Sequence, residues 1–583
     1  MDKPLAKEIA VSDFVPPQDP TLGWASDVAA EMLQRSGLKY ISLVPGASYR
    51  GLHDSIVNYL GNKDPEMVLC LTEQAAVGIA HGYAKVTGKP MAVALHANIG
   101  VMHAAINIFD AFADRMPMVI MGATGPVDAA KRRPWIDWIH TSADQASMVR
   151  DYLKWDDQPG SAEAIADSVL RATLMASTAP MGPTYVCLDA ALQEEPLDGP
   201  IALPNPKYFP VGAPPGPDAS SLGQAAAALK AAKKVVILAG RVSRDEDDWT
   251  RRIQLAEALD AKVYTALKLA ASFPNSHPQH ETLLPLFQNK DDLSALCEAD
   301  VVLSLDWLDV KAILDAAGRA EDDSLTVIHA SLDRYAHTGA VIDYLGLPRT
   351  DIMLLADPDT TTQALLTALD VKDLASKVKP KPGIIDAPTS RTISMAHLAE
   401  ATTKALEGRK TTYACLPFGW PATASPFDHP LDYLGADAGG VIGAGPPFAI
   451  GAALAMQDTD PDRLVVLATG DGDLLSGMAS LWTAAQRGLP ILAVINNNRS
   501  FYNDERHQDR VAQARGRPRE NKWVGQRLDD PPPDLCGLAK AQGWATVGPV
   551  ALPEDLPAAF DRAMASIARG RPTLIDVLVD PEV

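Results

Sequence analysis

Short apolar runs alternate with longer segments along most of this chain. The first stretch carries runs at Ile41–Val44, Met67–Leu71, Met91–Leu95, Met118–Met121 and Thr184–Leu188. The middle carries Val235–Ala239, Val301–Leu305 and Thr326–His329, and the last part Thr412–Cys415, Leu464–Ala468, Ile491–Ile495 and Thr573–Val577. Runs of four or five apolar residues read as buried strands. The intervening segments place apolar residues at helical spacing. Such alternation predicts parallel sheets covered by helices, because parallel strands need crossover connections. Proline-rich stretches near 195–217 and 377–388 read as linkers. The predicted fold is α/β, with three tandem domains at residues 20–194, 218–376 and 390–583. Each is a mainly parallel sheet flanked by helices.

Residues 464–501 hold the most chemistry. The run Leu464–Ala468 ends in Gly470-Asp471-Gly472, and a segment with apolar residues at Leu474, Leu475, Met478, Leu481, Trp482 and Ala485 follows. Gly488 ends that segment as a helix C-terminus would. The run Ile491–Ile495 then leads into Asn496-Asn497-Asn498. This strand–helix–strand unit puts Asp471 and Asn498 at the carboxyl ends of parallel strands, the edge where open α/β sheets bind ligands. A carboxylate, an amide oxygen and a backbone carbonyl such as that of Ser500 suit Mg²⁺ or Ca²⁺ when a ligand's phosphate oxygens complete the shell. Taken singly, each element is a turn or a loop. The pair, each at a strand end, points to a metal–diphosphate site.

A second candidate lies in the first domain, where Met67–Leu71 runs into Thr72-Glu73. Thr72 is placed to cap a helix over 73–87, and Gly88 to stop it. The small apolar residues around Glu73 favour its neutral carboxyl form. In that form it can exchange a proton with a ring nitrogen.

Composition narrows the partners. Against 52 Lys and Arg stand 73 Asp and Glu, a net charge of −21. That argues against nucleic acid or an anionic membrane as partner. Five scattered cysteines without a C-x-x-C pair suggest neither a disulfide framework nor a zinc site. A reducing cytoplasm is the expected setting. The first twenty residues lack the long apolar core of a signal peptide. Pro446 and Pro447 interrupt the long small-residue stretch Val441–Met456, so no membrane span is expected.

With these residues in place, the chain resembles the thiamine-diphosphate-dependent enzymes. The Gly470-Asp471-Gly472 motif with its later asparagine is their signature, and the three-domain organisation is theirs. The resemblance implies that Gly470, Asp471, Gly472, Asp473, Asn498 and Ser500 bind the cofactor's diphosphate. Asp471, Asn498 and the Ser500 carbonyl would hold the metal. It implies that Glu73 meets the pyrimidine ring. Ile442, within Gly439-Gly440-Val441-Ile442-Gly443, would be the apolar wedge beneath the bent cofactor. It also implies a homodimer or homotetramer with active sites at subunit interfaces, a small carbonyl substrate, and a C–C lyase, carboligase or diketone hydrolase activity.

Within that family, His96 in LHANIGVMHAA stands at the same spacing from Glu73 as a catalytic histidine does from the glutamate of benzoylformate decarboxylase. Ser480-Leu481-Trp482-Thr483-Ala484-Ala485-Gln486 is also similar to a segment of that enzyme. A 2-oxo acid decarboxylase is therefore the leading expectation, with His96 moving protons. The chain departs from that enzyme at Ala47, where its serine grips the substrate carboxylate. Here Ser48 is the next residue. His140, in a loop with Trp135 and Trp138, is a further candidate for the pocket. Asn503, Asp504 and His507 open a charged segment, 502–533, that reads as a lid. The middle domain does not repeat a flavin pattern, so FAD is not expected.

Overall fold

The structure is a computed structural model. It describes residues 15–17, 21–285, 290–333, 346–371, 390–421, 424–435 and 439–581. Most of the N-terminal twenty residues and the whole of the 377–388 linker lie outside this range.

Three sheets carry the fold, and every strand pair within them is parallel. The first contains β1 (Tyr40–Leu43), β2 (Glu66–Leu69), β3 (Met91–Leu95), β4 (Met118–Thr124), β5 (Trp155–Asp157) and β6 (Pro183–Asp189), in the order β2-β1-β3-β4-β6-β5. The second contains β7 (Val235–Ala239), β8 (Lys262–Ala266), β9 (His280–Leu284), β10 (Val301–Leu305), β11 (Thr326–Ala330) and β12 (Ile352–Leu354), in the order β12-β11-β10-β7-β8-β9. The third contains β13 (Thr411–Cys415), β14 (Leu464–Gly470), β15 (Ile491–Asn497), β16 (Ala545–Val550) and β17 (Thr573–Leu578), in the order β13-β14-β15-β17-β16. All twelve apolar runs of the sequence are strands. The five strands without such a run are β5, β8, β9, β12 and β16, and four of these are sheet edges. An edge strand has fewer neighbours and needs no continuous apolar stretch.

Helix Glu73–Thr87 begins and ends as its sequence dictates. Thr72 Oγ1 accepts from Ala75 N–H, and Gly88 takes the left-handed conformation beyond the last turn. The single helix expected after Asp471 is instead two short ones, Asp471–Gly477 and Leu481–Arg487, joined by a 3-10 turn at Met478–Ser480. The break falls where the Gly443–Pro446 segment presses in. A side chain on Gly477 would meet the Gly443 carbonyl at 2.7 Å and Pro446 at 2.8 Å.

The first and third sheets are joined through one core, which includes Ala76, Ile79, Ala80, Phe448, Ala449 and Ala452. At its centre helix Glu73–Thr87 crosses helix Gly445–Thr459. Gly82 and Gly451 allow the two backbones to touch there. A buried array of charges lies beside this crossing. His81 bonds Asp114 at 2.8 Å and faces Asp110 at 3.5 Å, and Lys85 bonds the second Asp114 oxygen. Burial opposes a charge on His81, but the hydrogen bonds to Asp110 and Asp114 prevail and hold it up to about 9. Asp110 Oδ1 also accepts from Gly439 N–H at 2.7 Å, so the array reaches the third domain.

Candidate active site

In the third domain β14 and β15 are adjacent, with Gly470 opposite Asn496. Asp471 and Asn498 therefore leave neighbouring strands at the same edge, as the sequence predicts. Asp471 is buried, and burial pushes its carboxyl up to about 6. Backbone N–H groups of Gly472 and Arg499 pull the other way, and the charge of Asp576 adds to the rise. The Arg499 contact ties the Asp471 turn to the Asn498 loop. Asn498 Oδ1 accepts from Ser500 N–H at 3.0 Å, which uses one lone pair and leaves the other. Asn496 Oδ1 is buried with no hydrogen-bond partner among the described residues.

A buried carboxylate raised by desolvation, beside an amide oxygen with a lone pair to spare, is a donor set that a hard divalent cation satisfies. Among the described residues no cluster of three His, Cys, Asp or Glu side chains can hold an ion alone. An ion here needs oxygens from its ligand, as a diphosphate would provide.

Beside these strand ends lies a cavity of about 240 Å³. Thr469, Gly470 and Asn496 line its strand side, Ile442 and Val441 another wall, and Tyr502 and Asn503 a third. Ile442 is 51% exposed, which suits a wedge under a ligand better than a core residue. Asp473 lines the cavity too, but its oxygens are committed. Oδ1 accepts from Gly443 N–H at 2.6 Å and Oδ2 from Thr469 Oγ1 at 2.6 Å. Its part is to fix the Gly443–Gly445 turn. Asn503 faces the cavity, whereas Asp504 and His507 are not part of its lining. Helical spacing selects Tyr502, Asn503 and Arg506 as one face.

The second set of residues gathers at the carboxyl edge of the first sheet. Gly46 follows β1, Glu73 follows β2 and His96 follows β3. Gly46 must be glycine, because a Cβ there would lie 2.5 Å from the Cβ of His96. Ser48 Oγ accepts from Ala97 N–H at 3.1 Å and lies 2.9 Å from His96 Nδ1. Its hydroxyl hydrogen is thus free to point at Nδ1. Ser48 N–H also faces Nδ1, at 3.4 Å. Two donors aimed at Nδ1 place the proton of the neutral ring on Nε2. Burial lowers the pKa of His96 and the nearby His140 lowers it further, while Glu73 opposes both.

His140 is held at the end of β4, where its carbonyl accepts from Gly125 N–H. Its ring meets that of His96 edge to face, with centroids 4.6 Å apart. The two histidines, distant in sequence, form one pair. Trp135 and Trp138 do not close a pocket around them within the chain. They are 71% and 81% exposed.

Glu73 Oε2 is 2.8 Å from His103 Nδ1, and Gly100 lies beneath its carboxyl. His103 lies two turns beyond His96 on the same helix face, a periodicity the sequence displays. Glu73, His96 and His140 are not among the residues lining the cavity beside Asp471. The two sets do not share that cavity.

Three family models cover most of the chain. The N-terminal TPP binding domain of thiamine pyrophosphate enzymes matches residues 24–148, their central domain 222–365, and their C-terminal TPP binding domain 415–577. The acetolactate synthase large subunit of Haemophilus influenzae is 24% identical over 591 residues, covering 95% of this chain and 94% of that one. Benzoylformate decarboxylase of Pseudomonas aeruginosa is 24% identical over 569 residues, covering 94% and 97%. The crystal structure of benzoylformate decarboxylase from Polynucleobacter necessarius superposes with a TM-score of 0.77 at 20% identity, covering 96% of this chain and all (100%) of that one.

Proposed function

The chain belongs to the thiamine pyrophosphate enzymes, and from that premise we propose that it is a C–C bond lyase acting on a 2-oxo acid. The observation that carries this reading is the His96–His140 pair at the sheet edge that also bears Glu73. Thiamine diphosphate, when bound, supplies a nucleophilic carbon and an electron sink. Asp471, Asn498 and the Ser500 carbonyl would hold Mg²⁺ or Ca²⁺ against its diphosphate, and Ile442 would support the bend between its rings.

Glu73 gives and takes a proton at a ring nitrogen, with His103 holding its other oxygen. His96 presents Nε2 on the side away from Ser48. From there the neutral ring donates a hydrogen bond to the reacting carbonyl, and burial, with His140 beside it, keeps the imidazole neutral. The open edge around Gly46 and Ala47 leaves room for the substrate.

Because the Glu73 set does not line the cavity beside Asp471, we take the working unit as a homodimer or larger, with each site built from two chains. The exposed apolar residues Leu71, Ile99, Met102 and Ile106 lie around Glu73 and His103. Such a stripe suits a covered face.

The test is turnover. Purified protein with thiamine diphosphate and Mg²⁺ is offered a panel of 2-oxo acids, with and without an aldehyde acceptor. Release of CO2 and an aldehyde supports the lyase. Products formed only when an acceptor is present would make it a carboligase instead. Absence of any cofactor-dependent product from the panel would refute both.

A further inference from the structure

Three charged side chains line the cavity beside Asp471: Lys268, Asp473 and Arg506. Asp473 is spent on the Gly443–Gly445 turn and on Thr469. Lys268 reaches in from the middle domain, lies over the Phe418 ring at 5.2 Å, and acts on Asp473, whose charge offsets its own. Arg506 differs from both. No ion pair or hydrogen bond engages its guanidinium among the described residues.

The neighbouring acids are occupied elsewhere. Glu505 bonds Ser500 Oγ and meets Arg527 at 3.4 Å, and Asp509 bonds Arg519 at 2.6 Å. Asp504, two residues back, lies on another face of the helix. Among the described residues Arg506 is therefore an unpaired cation lining the cavity, presented by the same helix face as Tyr502 and Asn503.

We propose that Arg506 is the specificity-determining residue that grips the carboxylate of the substrate, with Asn503 and Tyr502 completing the grip. This rests on the function proposed above and names the anionic class of its substrate. Two features separate this role from cofactor binding. The diphosphate finds its cation and backbone donors at the strand ends, around Asp471 and Gly470. Arg506 stands a helical turn on from Tyr502 and is exposed. A guanidinium offers two parallel N–H donors to a carboxylate, a geometry that an ammonium lacks. The chain also has need of such a group, since Ala47 provides no hydroxyl and Ser48 Oγ is committed to His96.

The experiment compares Arg506→Gln and Arg506→Lys with the parent protein, loaded with thiamine diphosphate and Mg²⁺. Pyruvate and benzoylformate are the substrates, and their methyl esters, which have no carboxylate to lose as CO2, are tested as competitive inhibitors. Arg506→Gln is expected to raise KM for the acids by roughly 10- to 100-fold, the range for a hydrogen bond to a charged group. Inhibition by the esters, which lack the gripped group, should be unaffected, and cofactor affinity by calorimetry should stay within about 2-fold, well below that range. Arg506→Lys should recover part of the loss.

Equal losses on acids and esters would overturn the assignment, and so would a loss confined to cofactor binding. If the parent binds the cofactor but turns over no acid, calorimetric titration of the loaded protein with each acid decides. Weaker binding by Arg506→Gln supports the grip, and no binding of any acid to the parent refutes it. A parent protein that does not bind thiamine diphosphate would sink the proposed function itself.

Discussion

Replacing Gly82 by alanine tests the packing that unites the two catalytic domains, because two opposite signs are in play. In a helix with free space alanine is better than glycine by about 0.5–1 kcal/mol. At Gly82 there is no space. A Cβ would lie 2.0 Å from the carbonyl oxygen of Phe448 and 2.9 Å from the amide nitrogen of Ala452. The obstructing atoms are backbone and cannot rotate aside, so helices Glu73–Thr87 and Gly445–Thr459 must separate. Overpacking of this kind costs about 1–3 kcal/mol, and an unyielding obstacle belongs at the upper end. Subtracting the propensity gain leaves a net loss of about 2 kcal/mol, a fall of roughly 4–8 °C in a domain of this size. Gly223 provides the control. It lies inside helix Ala219–Ala231, and a Cβ there meets nothing within 4 Å. Gly223→Ala should stabilise by about 0.5–1 kcal/mol. Scanning calorimetry of both variants measures the two signs. A midpoint for Gly82→Ala equal to or above the parent's would mean that the helices do not touch as described.

Other outcomes follow from the site. Glu73→Gln should reduce turnover by ~100-fold or more, the range for positioned acid–base groups, with little change in unfolding midpoint; rates near the parent's would remove Glu73 from proton transfer. Asp471→Ala should weaken retention of thiamine diphosphate and Mg²⁺, and an unchanged calorimetric titration would count against the metal site. His81 ordinarily titrates near 6.5 and is held up to about 9 in the fold. Between those values the native state keeps a proton that the unfolded chain has lost, so stability should decline as pH rises through that window. Urea midpoints at pH 6.5 and pH 9.5 measure the decline, and His81→Gln should flatten it; an unaltered slope would show that His81 is not the group.

Much of the fold could be read from the sequence, because a strand covered on both faces must be a continuous apolar run. Four of the six edge strands could not, among them β5 (Trp155–Asp157) and β16 (Ala545–Val550), which leave much of their surface to solvent. The strand-end positions of Asp471, Asn498 and Glu73 were legible, because each follows an apolar run that had to be a buried strand. The partnership of His96 with His140 was not. It depends on where the loop after β4 returns, and local pattern does not encode that. Nor was the role of Ser48, which looked like a neighbour of a missing serine and is in fact the hydrogen-bond partner of His96. His103 stands on a visible helical period, yet a half-exposed histidine on an apolar face gives no sign that a glutamate waits opposite it.

The array of His81, Lys85, Asp110 and Asp114 works as a key rather than as grease. Apolar surfaces tolerate sliding, since one methyl contact replaces another at small expense. Opposite charges out of water tolerate very little, because a displaced partner strands an unmatched ion. Through this array the helix that starts at Glu73, the helix that starts at His96 and the strand of chain leading to Ile442 share a single notch. Drift in any one of them would be felt by the other two, and the three pieces of chemistry they carry are held to one common alignment.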